Sequence, residues 1–184
     1  GRRFRLAHLK FGPKVVEVAT FRRHIQPGQE IVQDGVQAVP EAGRTDAVVI
    51  GPEHLVHRDN TFGTQEEDAF RRDFTINALF YDLDAGQILD WVGGMADIER
   101  RVVRTIGEPE TRFREDPIRI LRAIKFAARL DLGIDPDVYD AMVFTRASLA
   151  RAARPRLFEE ILRLLRGGGA HRSIWLAWEL GILS

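Results

Sequence analysis

The sequence predicts an α+β protein whose first part mixes strands with helices and whose second part is all helical. Two observations carry this prediction. Up to about residue 102, short segments alternate apolar and polar residues, as half-buried strands do. After Gly107, apolar residues recur at helical spacing over the rest of the chain. We therefore expect one domain over residues 1–102 and a helical domain over residues 103–184.

A hairpin of two strands is expected at the N-terminus. Residues 4–11 alternate apolar and polar side chains, Gly12 and Pro13 interrupt the pattern, and residues 15–21 form the returning strand. The alternation is then lost from Arg22 to about Asn60, where Gly, Pro and Gln are frequent. A connection of this length is typical of a mobile or functional segment, so we expect a long flexible loop over about 22–60.

The first part continues with mixed elements. We expect a helix from the N-cap Thr64, a strand over 74–82, its partner over 87–91, a short helix from Gly93 to about Arg101, and a strand over 102–104. Four helices are then predicted, from Pro117 onward and over 137–143, 156–166 and 171–180. In the first of these four helices, the apolar residues that share one face are Ile118, Leu121, Ile124 and Ala128.

The composition excludes several classes of protein. Of 184 residues, 45% are hydrophobic and 29% are charged, which excludes collagen-like and fully disordered chains. Because the chain has no cysteine, disulfide frameworks, thiolate zinc sites and cysteine nucleophiles are excluded as well. The sequence shows no apolar run of membrane-spanning length and no signal sequence at its N-terminus, so we expect a cytoplasmic protein without a membrane partner.

The net charge of zero conceals an asymmetry between the two halves. Acidic residues outnumber basic ones over residues 1–99, and the balance is reversed over residues 100–184. The second half is therefore the favoured surface for a polyanion.

One carboxylate lies at the centre of the second predicted strand. Glu17 shares a strand face with Val15 and Ala19, and a carboxylate among apolar residues is costly unless a cation or a metal meets it. Glu17 is therefore a candidate for a residue that meets a cation or a metal ion. The alternative is an edge strand on which Glu17 is solvated.

The segment Arg71–Leu79 concentrates side chains suited to a nucleotide. Arg72 offers a guanidinium fork to phosphate, Asp73 accepts a hydrogen bond from a sugar hydroxyl, and Asn77 donates or accepts. This combination is typical of a site for a triphosphate and a ribose. The alternative is a surface Arg–Asp pair at the end of a helix.

A third segment places an acid and an arginine three residues apart. Asp116 and Arg119 are expected to lie side by side on one helix. The carboxylate accepts from an exocyclic amine and the guanidinium donates to a ring nitrogen or carbonyl, so the pair imitates the Watson–Crick edge of a base. Arg122 and Lys125 continue the basic line towards the phosphates. The alternative is an ordinary intrahelical salt bridge.

Together the segments Glu17–Arg22, Arg71–Leu79 and Glu115–Arg122 resemble the class II nucleotidyltransferases. This family comprises the bacterial poly(A) polymerases and the tRNA CCA-adding enzymes, and the resemblance runs over nearly the whole chain. Residues 2–6, 59–64 and 153–160 are more similar to the poly(A) polymerase branch.

The resemblance implies both a fold and a function. It implies a polymerase-β-like palm, the head, over residues 1–102 and incomplete at its N-terminus, followed by a helical neck over residues 103–184. It implies template-independent addition of AMP from ATP to RNA 3′ ends, with Mg²⁺ as cofactor and with ATP and RNA as partners. A CCA-adding enzyme that uses CTP and ATP is the first alternative, and a non-catalytic RNA-binding module is the second.

The resemblance also assigns roles to individual residues. Glu17 matches the family's third catalytic carboxylate, which helps to position metal and hydroxyl. The nucleotide-binding positions of the family fall on Arg72, Asp73 and Asn77 for triphosphate and ribose, on Asp116 and Arg119 for the base, and on Arg122 and Lys125 for phosphates. Lys125 stands where arginine is common, so the charge is kept and the guanidinium fork is lost.

The family's principal metal ligands are not found in this sequence. They form an Asp-x-Asp arrangement upstream of the first predicted strand, whereas the Asp-x-Asp spacings of this chain are Asp82–Asp84, in a predicted turn, and Asp135–Asp137, in the neck. We therefore expect no complete metal site in this chain. We also expect the 184-residue polypeptide to be a fragment that does not catalyse nucleotide addition alone.

Overall fold

The computed structural model describes residues 6–23 and 62–183. The elements, in order, are β1 (Leu6–Phe11), β2 (Lys14–Ala19), α1 (Gln65–Phe70), β3 (Phe80–Asp82), β4 (Gln87–Leu89), α2 (Gly94–Arg100), β5 (Val102–Val103), α3 (Pro109–Glu115), α4 (Ile118–Leu130), β6 (Gly133–Ile134), α5 (Pro136–Thr145), α6 (Arg154–Arg166) and α7 (Ala170–Glu179). Two 3₁₀ helices lie at Thr75–Asn77 and Arg146–Arg151. The predicted α+β class is confirmed.

Two predictions concern long segments of the chain. Of the flexible loop expected over about 22–60, all but residues 22 and 23 lies outside the described residues. Within the ranges 6–23 and 62–183, no helix has the length and apolar character needed to cross a membrane.

The described strands form three two-stranded sheets. β1 and β2 pair antiparallel, with Leu6 opposite Ala19, and this confirms the predicted hairpin. β3 and β4 pair antiparallel as expected. β5 pairs in parallel with β6, which the sequence did not predict. This pairing connects the end of the first part to the turn between α4 and α5.

The helix that precedes the polar segment begins at the predicted cap. The Thr64 hydroxyl accepts from the backbone N–H of Glu67, and the Glu67 carboxylate accepts from the N–H of Thr64. This reciprocal capping box satisfies donors that the first turn of a helix leaves free. It fixes the start of α1, and therefore the position of the arginines that follow its end.

The segment after α1 differs from the prediction. Phe74 is extended and forms an antiparallel bridge with Thr105, but a 3₁₀ helix over Thr75–Asn77 interrupts the predicted strand before the short strand β3. The Asp73 carboxylate accepts from the N–H of Phe74 and from the side chain of Asn77, and such local bonds compete with strand pairing. The Thr75 hydroxyl donates to the buried Asp97 at 2.6 Å, which holds the turn in place.

The helical second part follows the predicted pattern with two additions. The four expected helices are present as α4, α5, α6 and α7. The sequence predicts neither α3 nor the second 3₁₀ helix. α3 was missed because it is mostly charged and Phe113 is its one buried apolar residue. α4 is the central helix and contacts both α6 and α7. The predicted stripe on α4 is buried, with members Ile118, Leu121, Ile124 and Ala128.

The main hydrophobic core includes residues of both parts. Phe74 and Val103 are fully buried in the same cluster as Ile120, Ile124 and Met142. Each such side chain contributes about 1.5–3 kcal/mol through burial. The polar segment around residue 73 is therefore anchored to α4 by the aromatic ring that follows it.

Candidate functional site

Glu17 lies on the exposed hairpin. Its side chain is 68% exposed, and its Oε1 lies 3.3 Å from Nε2 of His8 on the neighbouring strand. This placement matches the solvated-strand alternative for Glu17. The other predicted site residues lie between residues 72 and 125, on or beside α1, the first 3₁₀ helix and α4.

A buried carboxylate organises the arginines at the end of α1. Asp68 is 2% exposed and accepts from Nη2 of Arg71 at 2.7 Å and Nη2 of Arg72 at 2.8 Å. Burial alone would raise the pKa of Asp68, but the hydrogen bonds from Arg71, Arg72 and the N–H of Arg22 outweigh it and lower the pKa. Sequence reasoning missed this role because an acid in a first turn is already explained by the helix dipole.

Asp73 joins the polar segment to α4. Its Oδ1 accepts from Nδ2 of Asn77 at 3.2 Å, and its Oδ2 accepts from Nε of Arg122 at 2.5 Å. Arg72 donates from Nη1 to the carbonyl oxygen of Asn77 at 3.1 Å, and its guanidinium lies over the ring of Phe80. The structure thus brings together predicted residues that are about fifty positions apart in the chain.

Arg112 is a buried arginine that sequence reasoning did not single out. Its Nη2 donates to the carbonyl oxygens of Arg71 and Arg72, at 3.2 and 2.7 Å, and its Nη1 donates to Oε2 of Glu115 at 2.9 Å. Burial lowers the pKa of Arg112, and the neighbouring charge of Arg119 lowers it further. No signal in the sequence distinguishes this arginine from the exposed Arg114 on the same helix.

The expectation that Asp116 and Arg119 share one helix is wrong. Asp116 has φ −144° and ψ 95°, and it separates α3 from α4, which begins at Ile118. The physical reason is Pro117, whose ring disfavours helical geometry at the residue before it. The two residues remain neighbours through the backbone, because the N–H of Arg119 donates to the carbonyl oxygen of Asp116 at 3.0 Å.

Each member of this acid–arginine pair is held by another side chain. Oδ2 of Asp116 accepts from Nη2 of Arg156 at 2.8 Å. Arg119 donates from Nη1 to Oε2 of Glu115 and to the carbonyl oxygen of Arg112, both at 2.9 Å. The carboxylate and the guanidinium therefore have fixed orientations, as a template for a base edge requires.

Lys125 faces α6. Its Nζ forms an ion pair with Oε1 of Glu160, and the two side chains are only 12% and 5% exposed. Nη1 of Arg163 lies 3.5 Å from the other oxygen of Glu160. Lys125 thus has a buried partner that is separate from the Asp73–Arg122 pair.

Both Asp-x-Asp spacings have local structural uses. Oδ1 of Asp82 accepts from the N–H groups of Asp84 and Ala85 in the hairpin turn, and Oδ1 of Asp135 accepts from the N–H of Asp137 at the start of α5. Over residues 6–23 and 62–183, no three His, Asp or Glu side chains come together in an arrangement that would hold a metal ion.

Comparison with known proteins finds two matching family domains and several similar proteins. Residues 1–104 match the poly A polymerase head domain, and residues 131–184 match the domain described as the probable RNA and SrmB-binding site of polymerase A. Poly(A) polymerase I of Salmonella typhimurium is 45% identical over 173 residues, which cover 94% of this chain and 34% of that protein. The CCA-adding enzyme of Geobacillus stearothermophilus is 43% identical over 117 residues, covering 64% of this chain and 29% of that enzyme.

The fold is also found among solved structures. The crystal structure of the Bacillus stearothermophilus CCA-adding enzyme in complex with CTP superposes with a TM-score of 0.73 at 32% identity, covering 99% of this chain and 38% of that one. The chain spans about a third of the length of the curated relatives it matches. Because the head-domain match covers more than half of the 184 residues, the chain belongs to the poly A polymerase head-domain family, within the class II nucleotidyltransferases.

Proposed function

We propose that the whole protein is a template-independent RNA nucleotidyltransferase that adds AMP from ATP to RNA 3′ ends. The observation that carries this proposal is the 2.5 Å ion pair between Asp73 and Arg122. It joins a segment suited to ribose and phosphate to a segment suited to a base edge. A nucleotide needs both sets of groups on one surface, and the poly(A) polymerase I relative is similar over 94% of this chain.

The groups around this ion pair have distinct proposed roles. Asp116 accepts from the exocyclic amine of adenine, and Arg119 donates to a ring nitrogen. Asp73 and Asn77 hold the ribose hydroxyls. Arg72, whose side chain is 38% exposed and lies over Phe80, holds the triphosphate.

The remaining cations lie further along α4. We propose that Arg122, which is 30% exposed, contacts phosphate with the donors that it does not use on Asp73. Lys125 lies one turn further on, and its ammonium is committed to Glu160. Its proposed contribution to nucleotide binding is therefore the position of α6 and the positive field of α4.

The proposed reaction is a nucleotidyl transfer. The 3′-hydroxyl oxygen of the RNA attacks the α-phosphorus of ATP and loses its proton to solvent. The bond from that phosphorus to the bridging oxygen breaks, and pyrophosphate leaves with the bonding electrons. We propose Mg²⁺ as the metal of the whole protein, with Glu17 as the carboxylate that this chain contributes near it. Because the described residues do not fit a complete metal site, the part that this chain takes in the reaction is to bind and orient the nucleotide.

We assign separate functions to the head and the neck, guided by the two family matches. Residues 1–102 form the head, and residues 103–184 form a neck that reads the base and binds RNA. The region 131–184 matches a domain described as a probable RNA-binding site, and arginines such as Arg151, Arg154 and Arg166 are exposed in it. Guanidinium groups of this kind suit the phosphates of an RNA strand.

A second candidate is addition of CCA to tRNA. The observation that favours it is the superposition of 99% of this chain on a CCA-adding enzyme solved with CTP. The pair Asp116 and Arg119 can match the edge of adenine and also that of cytosine, because each base presents an exocyclic amine beside a ring nitrogen.

The test supplies single nucleotides to the whole protein with Mg²⁺ and two RNAs, an oligoadenylate primer and a tRNA without its CCA end. We expect long adenylate tails from ATP on both RNAs and little incorporation of CTP. Incorporation of C at the first position of the tRNA would instead establish the second candidate. RNA binding without incorporation of any nucleotide would establish a non-catalytic RNA-binding module.

A further inference from the structure

Arg112 contacts both halves of the candidate nucleotide site. Its guanidinium donates to the backbone carbonyls of Arg71 and Arg72, which immediately precede Asp73. Its own carbonyl oxygen accepts from the guanidinium of Arg119 at 2.9 Å. A single residue thus contacts the backbone of the ribose-binding segment and the side chain that reads the base.

Glu115, the last residue of α3, links Arg112 to Arg119 through its side chain. Its Oε2 accepts from Nη1 of Arg112 and from Nη1 of Arg119, both at 2.9 Å. The two guanidinium groups, which repel each other, are held together by this shared carboxylate. Any displacement of Arg112 therefore changes the position of Arg119 by two routes, through the carbonyl and through the carboxylate.

Burying the charged guanidinium of Arg112 costs free energy, which is unfavourable for a residue whose only role is packing. Its side chain is 10% exposed, and within the described part of the chain its Nε is buried without a hydrogen-bond acceptor. Well-packed apolar residues at such positions are often as stable as a buried charge or more so. Nη2 serves both carbonyls at the end of α1 while Nη1 serves Glu115, and the planar guanidinium of arginine supplies these two donor nitrogens in one rigid fork.

We propose that Arg112 is a positioning residue that fixes the base-reading pair, Asp116 and Arg119, relative to the ribose- and phosphate-binding segment. It thereby sets how strongly the protein prefers ATP to other nucleotides. This inference rests on the proposed function of the site. Arg112 itself contacts backbone and protein side chains, so its effect on the nucleotide passes through Arg119 and Asp73.

The test compares Arg112→Lys with the unmodified whole protein. Dissociation constants are measured by calorimetry for ATP, for CTP and for inorganic tripolyphosphate, and the melting temperature is recorded for each variant. Tripolyphosphate reports on the phosphate-binding groups alone, whereas ATP requires base and phosphate groups at the correct separation. Lysine keeps the charge and loses the planar fork.

We expect Arg112→Lys to bind tripolyphosphate within about twofold of the unmodified protein, while its ATP affinity falls about tenfold. The ratio of ATP to CTP affinity should fall at least about fivefold. The matched control is Arg114→Gln on the same helix, where the arginine is 56% exposed and pairs with Glu110. That control should leave all three affinities unchanged.

A role confined to stability gives a different result. It would lower the melting temperature and weaken the binding of all three ligands by the same factor. An unchanged ratio of ATP affinity to CTP affinity would therefore overturn the inference. Should Arg112→Lys fail to fold, Glu115→Gln removes the shared carboxylate charge and should lower the same ratio, and an unchanged ratio would again overturn it. If the unmodified protein binds neither ATP nor tripolyphosphate, the proposed function itself fails, and the inference with it.

Discussion

Nη2 of Arg156, at the start of α6, lies 2.8 Å from Oδ2 of Asp116, at the break between α3 and α4. The arginine side chain is 61% exposed and the carboxylate side chain is 24% exposed. The other carboxylate oxygen accepts from the N–H of Ile118 at 3.3 Å. Asp116 is therefore oriented from two sides, and one of them is a helix forty positions further along the chain.

Removal of this contact should weaken base selection with little effect on stability. In Arg156→Ala the Asp116 carboxylate loses one of its two restraints, so we expect the preference for ATP over CTP to fall about three- to tenfold. The free energy of unfolding should fall by less than about 1 kcal/mol, because the pair is largely exposed. Steady-state kinetics with each nucleotide and urea unfolding measure the two quantities.

Arg154→Ala is the matched control for this prediction. Arg154 is exposed at the first position of the same helix, so its replacement tests loss of positive charge on α6 without a change at Asp116. An equal loss of ATP preference in both variants would show that charge, and not orientation of the carboxylate, is responsible.

The groups proposed to read the base and those proposed to bind phosphate should respond differently to substitution. Asp116→Ala and Arg119→Ala should each cost about 1–3 kcal/mol of discrimination between ATP and CTP, with smaller effects on RNA affinity. Arg72→Ala should raise KM for every nucleotide alike, because a phosphate contact does not distinguish bases. Full nucleotide preference in either of the first two variants would contradict the base-reading assignment.

The sequence predicted the helical part well because its physical signal is local. The stripe of Ile118, Leu121, Ile124 and Ala128 has helical spacing, and burial of that face follows from hydrophobicity alone. The hairpin and the cap at Thr64 are likewise predicted from short stretches of sequence. The motif residues were identified by family resemblance, and their physical contacts became visible only in the structure.

The remaining features depend on tertiary contacts. Asp68 and Arg112 are buried charges that each have a partner outside their own helix, the N–H of Arg22 for Asp68 and the carbonyl of Arg72 for Arg112. Glu160 pairs with a lysine on another helix. Nothing local distinguishes them from solvated charges. The pairing of β5 with β6 involves two residues in each strand, which is too short for a periodic signal.

The ion pair between Lys125 and Glu160 should matter for stability. Both side chains are largely buried, so Lys125→Met leaves the Glu160 carboxylate with the exposed Arg163, at 3.5 Å, as its one remaining ion-pair partner among the described residues. We expect this change to lower the free energy of unfolding by about 3 kcal/mol, and the double variant Lys125→Met/Glu160→Leu to recover most of the loss. Urea unfolding of both variants measures these values, and a double variant as unstable as the single one would contradict the explanation.

Asp68 should make stability depend on pH in the acidic range. Its pKa in the folded protein is lowered, so its contribution is complete above the unfolded-state pKa of about 3.9 and is lost as the pH falls through the lower folded value. At pH 7 we expect Asp68→Asn to cost about 2–3 kcal/mol, since the freed arginines are partly exposed and become hydrated.

The pH profile of this variant is the decisive measurement. The difference in unfolding free energy between the unmodified protein and Asp68→Asn should shrink as the pH is lowered below about 4. A difference that stays constant from pH 7 to pH 3 would show that the carboxylate is not preferentially ionised in the folded state.

Gly94, the first residue of α2, lies against the backbone of Thr75, in the segment that we propose binds the nucleotide. A Cβ atom there would lie 2.4 Å from the carbonyl oxygen of Thr75, and backbone at that distance has to move. The start of α2 cannot move away easily, because Asp90 accepts hydrogen bonds from the N–H groups of Val92, Gly93, Gly94 and Met95.

We expect Gly94→Ala to cost about 1–3 kcal/mol of stability and to raise KM for ATP, since Thr75 lies two residues from Asp73. In the control Gly133→Ala the nearest atom to the new Cβ, the carbonyl oxygen of Arg101, lies 3.6 Å away, so stability and KM should change little. Thermal unfolding and steady-state kinetics separate the two effects, and equal results for both glycines would contradict the steric explanation.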